Sequence, residues 1–359
     1  MNTDDATLIE RLLAAPLEDL MAEARMRRAG RGKHVMTYSP KVFIPVTRLC
    51  MDVCHYCTFA TTPSRLASPY MSIEQVLEVA RAGQAAGCKE ALLTFGDAPE
   101  RRYGVARDWL AERGYSRTID YVRDLAEAIV RETGLLPHIN AGLLDEADFA
   151  MLRPVAPSCG LMLESTSDRL CEKGGAHHGS PDKVPALRIA SLAAAGRAKM
   201  PMTTGILIGI GETARERMES LIAMRDLHRD HGHIQEVIVQ NFAPKPGTKM
   251  AGAPEASETD FLRVLAAARI VMDDAVSVQA PPNLNDERLA ELIDCGIDDW
   301  GGISPVTLDH VNPEAPWPEI ERLRAICARA GLPLAERLTV YPRFIDLDKG
   351  AWLDPAIRP

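Results

Sequence analysis

Residues 42–57 read VFIPVTRLCMDVCHYC, a β-rich run of six followed closely by three cysteines. Cys50, Cys54 and Cys57 stand as C-x3-C-x2-C, and thiols this close together call for a ligand-binding explanation. A structural zinc site asks for four ligands, often in paired C-x2-C knuckles, and only His55 or the distant Cys88 offers a fourth here. Three thiolates on a short loop suit instead three irons of a [4Fe–4S] cube whose fourth iron stays open. An open metal position can take a substrate.

Outward from this loop the chain repeats one unit. Further β-rich runs fall at 90–95, 137–142, 160–165, 204–210, 236–242, 276–281 and 300–304. Between them lie apolar stripes at helical spacing, such as Ile119, Val122, Leu125, Ile129 and Val130, or Phe261, Leu265, Ala268 and Met272. Ser72 with Gln75 predicts a capping box, Ser180-Pro181 an N-cap followed by an N1 proline, and Ser257 with Asp260 a third helix start. Gly87, Gly134, Gly196, Gly232, Gly296 and Gly331 are placed to end helices. Eight strands alternating with about eight helices give a closed barrel or an open doubly wound sheet. No linker breaks residues 40–330, which favours an α/β (β/α)8 TIM-type barrel. The expected organisation is an N-terminal helical extension over 1–35, the barrel over 36–345 and a tail over 346–359. The extension carries its stripe on Leu8, Leu12, Leu13, Leu17, Leu20 and Met21.

Among 359 residues, 41 Lys plus Arg stand against 50 Asp plus Glu, a net charge of −9 that disfavours nucleic acid as a partner. The opening MNTDDATLIERLL is acidic and unlike a signal peptide, and no apolar run approaches the ~18 residues of a membrane span. The expectation is a cytoplasmic chain with no membrane partner. Its other five cysteines, Cys88, Cys159, Cys171, Cys295 and Cys327, are scattered singly and expected as packing residues.

In a barrel the loops after the strands build the active site. CMDVCHYC after the first strand, with aromatic Tyr56 before the last cysteine, resembles the radical S-adenosylmethionine (SAM) superfamily. The resemblance implies a [4Fe–4S] cluster on Cys50, Cys54 and Cys57 whose open iron chelates the amine and carboxylate of SAM. One electron then cleaves the sulfonium, and the 5′-deoxyadenosyl radical takes a hydrogen from substrate. The same resemblance points to SAM contacts from Tyr56, from Gly96 with Asp97 or Glu100, and from Glu164 at the end of the fourth strand. In the fifth strand, GILIGIGE supplies Gly205, Gly209 and Glu212. GIGETA at 209–214 also matches a dinucleotide-binding fingerprint, but it sits in the fifth unit, and Glu212 would oppose a pyrophosphate there.

LLPHINAG, GLMLESTSDRL, TTGILIGIGET, GHIQEVIVQNFAPKPGTKM and DWGGISPVTLDHVNPEAPWP together resemble the FO synthase family, in its cyclising subunit, over about residues 35–345. FO is 7,8-didemethyl-8-hydroxy-5-deazariboflavin. Ala176 and His178 stand where Pro and Tyr are expected, and Leu308 where Pro is usual. The resemblance implies an ammonia lyase that closes the deazaflavin ring of a hydroxybenzyl–uracil adduct. A separate radical SAM partner enzyme would supply that adduct, since one three-cysteine motif is present, and an electron donor such as ferredoxin or flavodoxin would serve the cluster. A pyrimidine, a phenol and a polyol call for amides and imidazoles, and Asn140, His177, His178, Gln240, Asn241 and His310 are the substrate candidates. His228, His231 and His233 are expected at a solvated helix end, and Lys245 and Lys249 as surface charge. The competing readings are a radical SAM enzyme of the biotin synthase, tyrosine lyase or menaquinone-pathway type, and a non-catalytic zinc protein.

Overall fold

The computed structural model describes residues 3–30, 32, 34–346 and 351–357. Eight parallel strands close on themselves: β1 (Met36–Thr47), β2 (Glu90–Phe95), β3 (Leu136–Asn140), β4 (Ser158–Gly160), β5 (Met202–Ile208), β6 (Ile234–Asn241), β7 (Ser277–Gln279) and β8 (Asp299–Ile303). Closure is made at β1, which sets Phe43 opposite Leu92 of β2 and Ser39 opposite Gly302 of β8. All eight expected strands are present, and the barrel is the architecture. Two features depart from expectation. β4 is only three residues long, and the chain returns to the sheet as a single bridge between Glu164 and Ile206. A ninth strand, β9 (Leu334–Glu336), pairs with Met36–Tyr38 at the barrel's lower end.

That lower end is closed by charge. Lys41 pairs with Glu90 at 2.8 Å, and Arg337, arriving from β9, reaches Asp299 at 2.5 Å and Glu236 at 3.1 Å. All five side chains are buried. Such pairs add little net stability when intact, but removing one partner strands a charge and costs about 3–5 kcal/mol.

The helices obey their stripes. Thr118–Thr133 buries Ile119, Val122, Leu125 and Ile129, and Glu258–Val271 buries Phe261, Leu265 and Ala268. Ser72 and Gln75 form their capping box, and Ser257 accepts from the Asp260 amide. Ser180 does not cap its helix: its hydroxyl accepts from the Val53 amide at 3.0 Å, and the α-helix begins later, at Pro185. Gly196 lies inside that helix against His231, and Lys199 takes the left-handed turn instead. The N-terminal extension is two helices, Thr3–Ala14 and Leu17–Gly30, broken at Pro16, which has no amide proton for a continuing helix. Arg263 donates to the Leu12 and Ala15 carbonyls at the end of the first helix, and the buried Arg28 of the second donates to the Ile293 carbonyl at 2.7 Å. The extension is thereby fastened to the barrel's outer layer. No helix among the described residues is long and apolar enough to cross a membrane. The expected 346–359 tail falls partly outside the described residues, with Pro355–Ile357 a short 3-10 turn.

Candidate active site

The three-cysteine loop sits over the C-terminal ends of the strands, tied down by loops from around the barrel. The Met51 amide donates to the Asp97 carbonyl at 2.8 Å, His55 to Ala176 at 2.9 Å, and Met250 to His55 at 3.2 Å. Gly96 is required by this packing. A Cβ there would lie 1.9 Å from the Leu49 oxygen and 2.7 Å from the Cys50 Cβ. The Asp97 amide donates to the Cys50 sulfur at 3.2 Å, the kind of contact that tunes a cluster ligand. Burial above all, with Asp52 second, pushes the Cys50 thiol up to about 12, and burial pushes Cys54 up to about 11. Thiols so placed ionise when a metal centre neutralises them.

The donor set fits an iron–sulfur cube better than zinc. Sulfurs around one tetrahedral zinc stand roughly 3.8 Å apart at Zn–S ≈ 2.3 Å. Yet among the described residues only Asp52, Asp97 and Asp182 bring three ligand atoms within 4.8 Å of one another. The two candidates for a fourth zinc ligand are placed differently. His55 Nε2 lies 3.1 Å from Lys249 Nζ, and Cys88 precedes β2, at the opposite end of the barrel from the loop. Of the remaining cysteines, Cys159, Cys295 and Cys327 are buried like Cys88, and Cys171 is half-buried.

The expected SAM contacts separate into two groups. Asp97 faces Asp52 and Asp182 in a buried acidic recess, and the Asp182 amide donates to Asp52 at 3.3 Å. Burial first, then the neighbouring Asp182 and Asp52, raises the Asp97 pKa well above the carboxylate range. Asp182 Oδ2 is buried with no partner. Glu164 stands nearby in a left-handed conformation, φ 67°, rare for a residue with a side chain. Burial opposes its charge, but Lys183 at 2.5 Å and the neighbouring Arg188 hold its carboxyl below the usual range. Tyr56 completes this side, its hydroxyl 3.2 Å from His177 Nε2, and burial drives the His177 imidazole down to about 4.

Glu100 and Glu212 are turned elsewhere. Glu100 accepts from the Thr118 amide at 3.1 Å and the Thr118 hydroxyl at 2.6 Å, capping a helix. Glu212 accepts from the Gly209 and Ile210 amides at 2.7 and 2.9 Å and pairs with Arg217 at 2.6 Å. It clamps the turn after β5, in which Gly209 adopts φ 94°. Gly205 lets β5 lie close to β6, since a Cβ would meet the Ile238 oxygen at 2.2 Å.

Below the loop the barrel encloses a cavity of about 370 Å³, reaching from Tyr56, Cys57 and Glu164 to Lys41 and Glu236. Asn140, Gln240 and Asn241 line it, and Phe43 stacks on Trp317 at 5.1 Å to form one wall. His177 stands behind Tyr56, His178 is exposed, and His310 is absent from the cavity wall, where its neighbours Asp309 and Asn312 appear instead. Sequence reasoning missed Asp52, Asp182, Lys183 and Arg188, none of which carries a local signal. It also misplaced three basic residues. Lys245 is buried, donating to the Val311 carbonyl and Asn312 Oδ1 at 2.5 Å each, and His228 and His233 are buried rather than solvated.

The radical SAM superfamily model matches residues 44–223, which include the cysteine loop and the turn after β5. The chain is 50% identical over 374 residues to the FO synthase of Mycobacterium tuberculosis H37Rv, covering 100% of this chain and 44% of that protein. It is 52% identical over 369 residues to the FO synthase of Streptomyces avermitilis, covering 100% and 43%. The chain thus spans less than half the length of these bacterial relatives. Against the 7,8-didemethyl-8-hydroxy-5-deazariboflavin synthase of Methanopyrus kandleri it is 50% identical over 311 residues, covering 87% of this chain and 93% of that one. Among solved structures, methylornithine synthase superposes with a TM-score of 0.68 at 20% identity, covering 91% of this chain and 93% of that one. A maturase of the [FeFe]-hydrogenase superposes at 0.71 and 16% identity, covering 92% and 75%. These last two likenesses bear on the fold alone. A thiol loop over a closed parallel barrel, the matching superfamily model and half-identity along nearly all of an archaeal synthase lead to one assignment: the chain belongs to the radical SAM superfamily and, within it, to the FO synthase family.

Proposed function

We propose that this chain catalyses the ring-closing half of deazaflavin formation. Its substrate would be 5-amino-5-(4-hydroxybenzyl)-6-(D-ribitylimino)-5,6-dihydrouracil, converted to FO by hydrogen abstraction, cyclisation, ammonia loss and release of one further electron and proton, with SAM as the net two-electron oxidant. This is the work of an ammonia lyase. The observation that carries the reading is a chain half identical to FO synthases whose three-thiol loop sits over the lumen of the barrel.

Cys50, Cys54 and Cys57 would hold a [4Fe–4S] cluster, which supplies the electron that releases a 5′-deoxyadenosyl radical from SAM. The recess of Asp97, Asp52 and Asp182 suits the α-ammonium of SAM, because three carboxylates packed together without a cation repel. Lys183 and Arg188 suit its carboxylate, and Glu164, paired with Lys183, suits ribose hydroxyls. Glu100 and Glu212 act at one remove, as positioning residues. The walls of the lumen exclude water that would quench a reactive species. Phe43, Trp317, Asn140, Gln240 and Asn241 receive the substrate, while His178 and His310 stand outside the pocket.

The adduct comes from a second radical SAM centre, in another chain or another segment of a longer one, as the length of the bacterial relatives suggests. A low-potential donor such as ferredoxin or flavodoxin reduces the cluster. The test is anaerobic reconstitution with iron and sulfide, followed by reductant, SAM and the adduct. Methionine, 5′-deoxyadenosine and fluorescent deazaflavin are expected. An intact cluster that yields neither 5′-deoxyadenosine nor deazaflavin refutes the reading. Deazaflavin-free 5′-deoxyadenosine would move it to another radical SAM reaction, and colourless protein with stoichiometric zinc to a structural role.

A further inference from the structure

One cavity-lining side chain lies outside every motif considered above. Asn283, in the loop after β7, is 7% exposed, and its Oδ1 is buried without a partner. The orientation of its amide is fixed by a relay of charges. Lys245 Nζ can only donate, and it donates to Asn312 Oδ1 at 2.5 Å. Asn312 Nδ2 must then face Asp309, to which it donates at 2.8 Å. Asp309 Oδ2 accepts a second bond from Asn283 Nδ2 at 3.1 Å, and the Ala315 carbonyl accepts from the same nitrogen at 3.3 Å. Turning the Asn283 amide over would set oxygen against both acceptors. Its Oδ1 is therefore held as a buried acceptor without a partner, in a residue that lines the cavity.

A second relay fixes the opposite polarity in the same cavity. Asn285 Nδ2 donates to the Pro281 carbonyl and to Asn241 Oδ1, both at 3.0 Å. Asn241 is thus left with its Nδ2 donor unpartnered by protein, and it too lines the cavity. The stacked rings of Phe43 and Trp317 add a flat apolar wall to the same cavity. An acceptor, a donor and an aromatic wall together match a planar ring carrying N–H beside C=O.

We propose that Asn283 and Asn241 recognise the imide edge of a pyrimidinedione ring, Asn283 accepting from the ring N–H and Asn241 donating to a flanking carbonyl. The inference rests on the deazaflavin reading, since substrate and product both carry that edge. It adds Asn283 as a binding residue, with Lys245, Asn312 and Asp309 as positioning residues behind it. A ligand hydroxyl could also satisfy a lone acceptor, so the test must separate imide from hydroxyl.

The probes are the product deazaflavin and its derivative methylated at the imide nitrogen, titrated by fluorescence into the anaerobically reconstituted holoenzyme. A donor replaced by methyl leaves the Asn283 oxygen buried and unpaired, a loss of about 10- to 100-fold in affinity. The native enzyme should show that preference for the unmethylated ring. In Asn283→Ala the ratio of the two affinities should fall below about 3, a value independent of how much of the variant is folded. Equal binding of both probes by the native enzyme, or a native ratio in Asn283→Ala, overturns the proposal and leaves the deazaflavin reading standing. A native enzyme that cleaves SAM but binds neither probe overturns both.

Discussion

Replacing Gly96 by alanine tests whether the cysteine loop is positioned by backbone contact with the loop after β2. The added Cβ would lie 1.9 Å from the Leu49 oxygen, 2.6 Å from the Leu49 carbonyl carbon and 2.7 Å from the Cys50 Cβ. Restoring even a tight 3.0 Å contact moves the two segments apart by about 1.1 Å, and the nearest obstacle is backbone rather than a flexible side chain. A shift of that size carries the Asp97 amide from 3.2 Å to beyond hydrogen-bonding reach of the Cys50 sulfur. It also strains the 2.8 Å bond from Met51 to Asp97. Overpacking of this kind costs about 1–3 kcal/mol globally, too little by itself to unfold a domain of ordinary stability. The damage should be local: Cys50 displaced and cluster assembly impaired in a folded chain. The assay is iron and acid-labile sulfide per chain after anaerobic reconstitution, with the EPR spectrum of the reduced protein and circular dichroism as a check on folding. Gly252→Ala is the control, since no atom lies within 4 Å of its Cβ position. A Gly96→Ala protein with native cluster content and an unchanged spectrum would refute the reasoning.

Alanine at Cys50, Cys54 or Cys57 should abolish SAM cleavage, while Cys327→Ala should keep it, losing only the 3.3 Å contact from the Trp300 indole; 5′-deoxyadenosine per cluster is the readout. Asp97→Asn should raise the KM for SAM at least tenfold, whereas Glu100→Ala should leave that KM within about twofold and lower unfolding stability by about 1–2 kcal/mol through the lost cap; equal KM effects would contradict the division made here. His233 is held neutral mainly by burial, its imidazole down to about 3, against roughly 6.5 unfolded. Between those values the unfolded chain binds a proton the folded one does not, so the native protein loses stability as pH falls. His233→Leu escapes that loss, and its stability relative to the native chain should improve by up to about 1.4 kcal/mol per pH unit below pH 6.5, followed by urea denaturation. A difference that stays constant between pH 7 and 5 would count against a buried neutral imidazole.

What the sequence disclosed and what it hid have separate physical origins. EALLTF is bounded by polar and turn residues, so its limits are local, and it is β2 from end to end. The cysteine loop announced itself because its three thiols lie within one stretch. β9 gave no such signal, since three residues show no alternation and the strand exists only by pairing with Met36–Tyr38. Asp52 and Asp182 meet across 130 positions, and a contact of that range leaves no trace in spacing. Glu100 and Glu212 were legible as acids beside glycines, but a cap, a clamp and a ligand contact look alike until the partners of each oxygen are known. Lys245 misled for a related reason: its long side chain folds inward onto Val311 and Asn312, where composition alone assigns a lysine to solvent.

Lys41, Glu90, Arg337, Asp299 and Glu236 lay an ionic floor under the lumen, at the end of the barrel away from the cysteine loop. On the proposed function, a ring system bound deep in the lumen would be seated before the rim beside the cysteines is taken, and would leave after the rim has emptied. The order of binding, with the ring system first in and last out, would then be set from the base of the barrel, the end farthest from the cysteines, and product-inhibition patterns would read it.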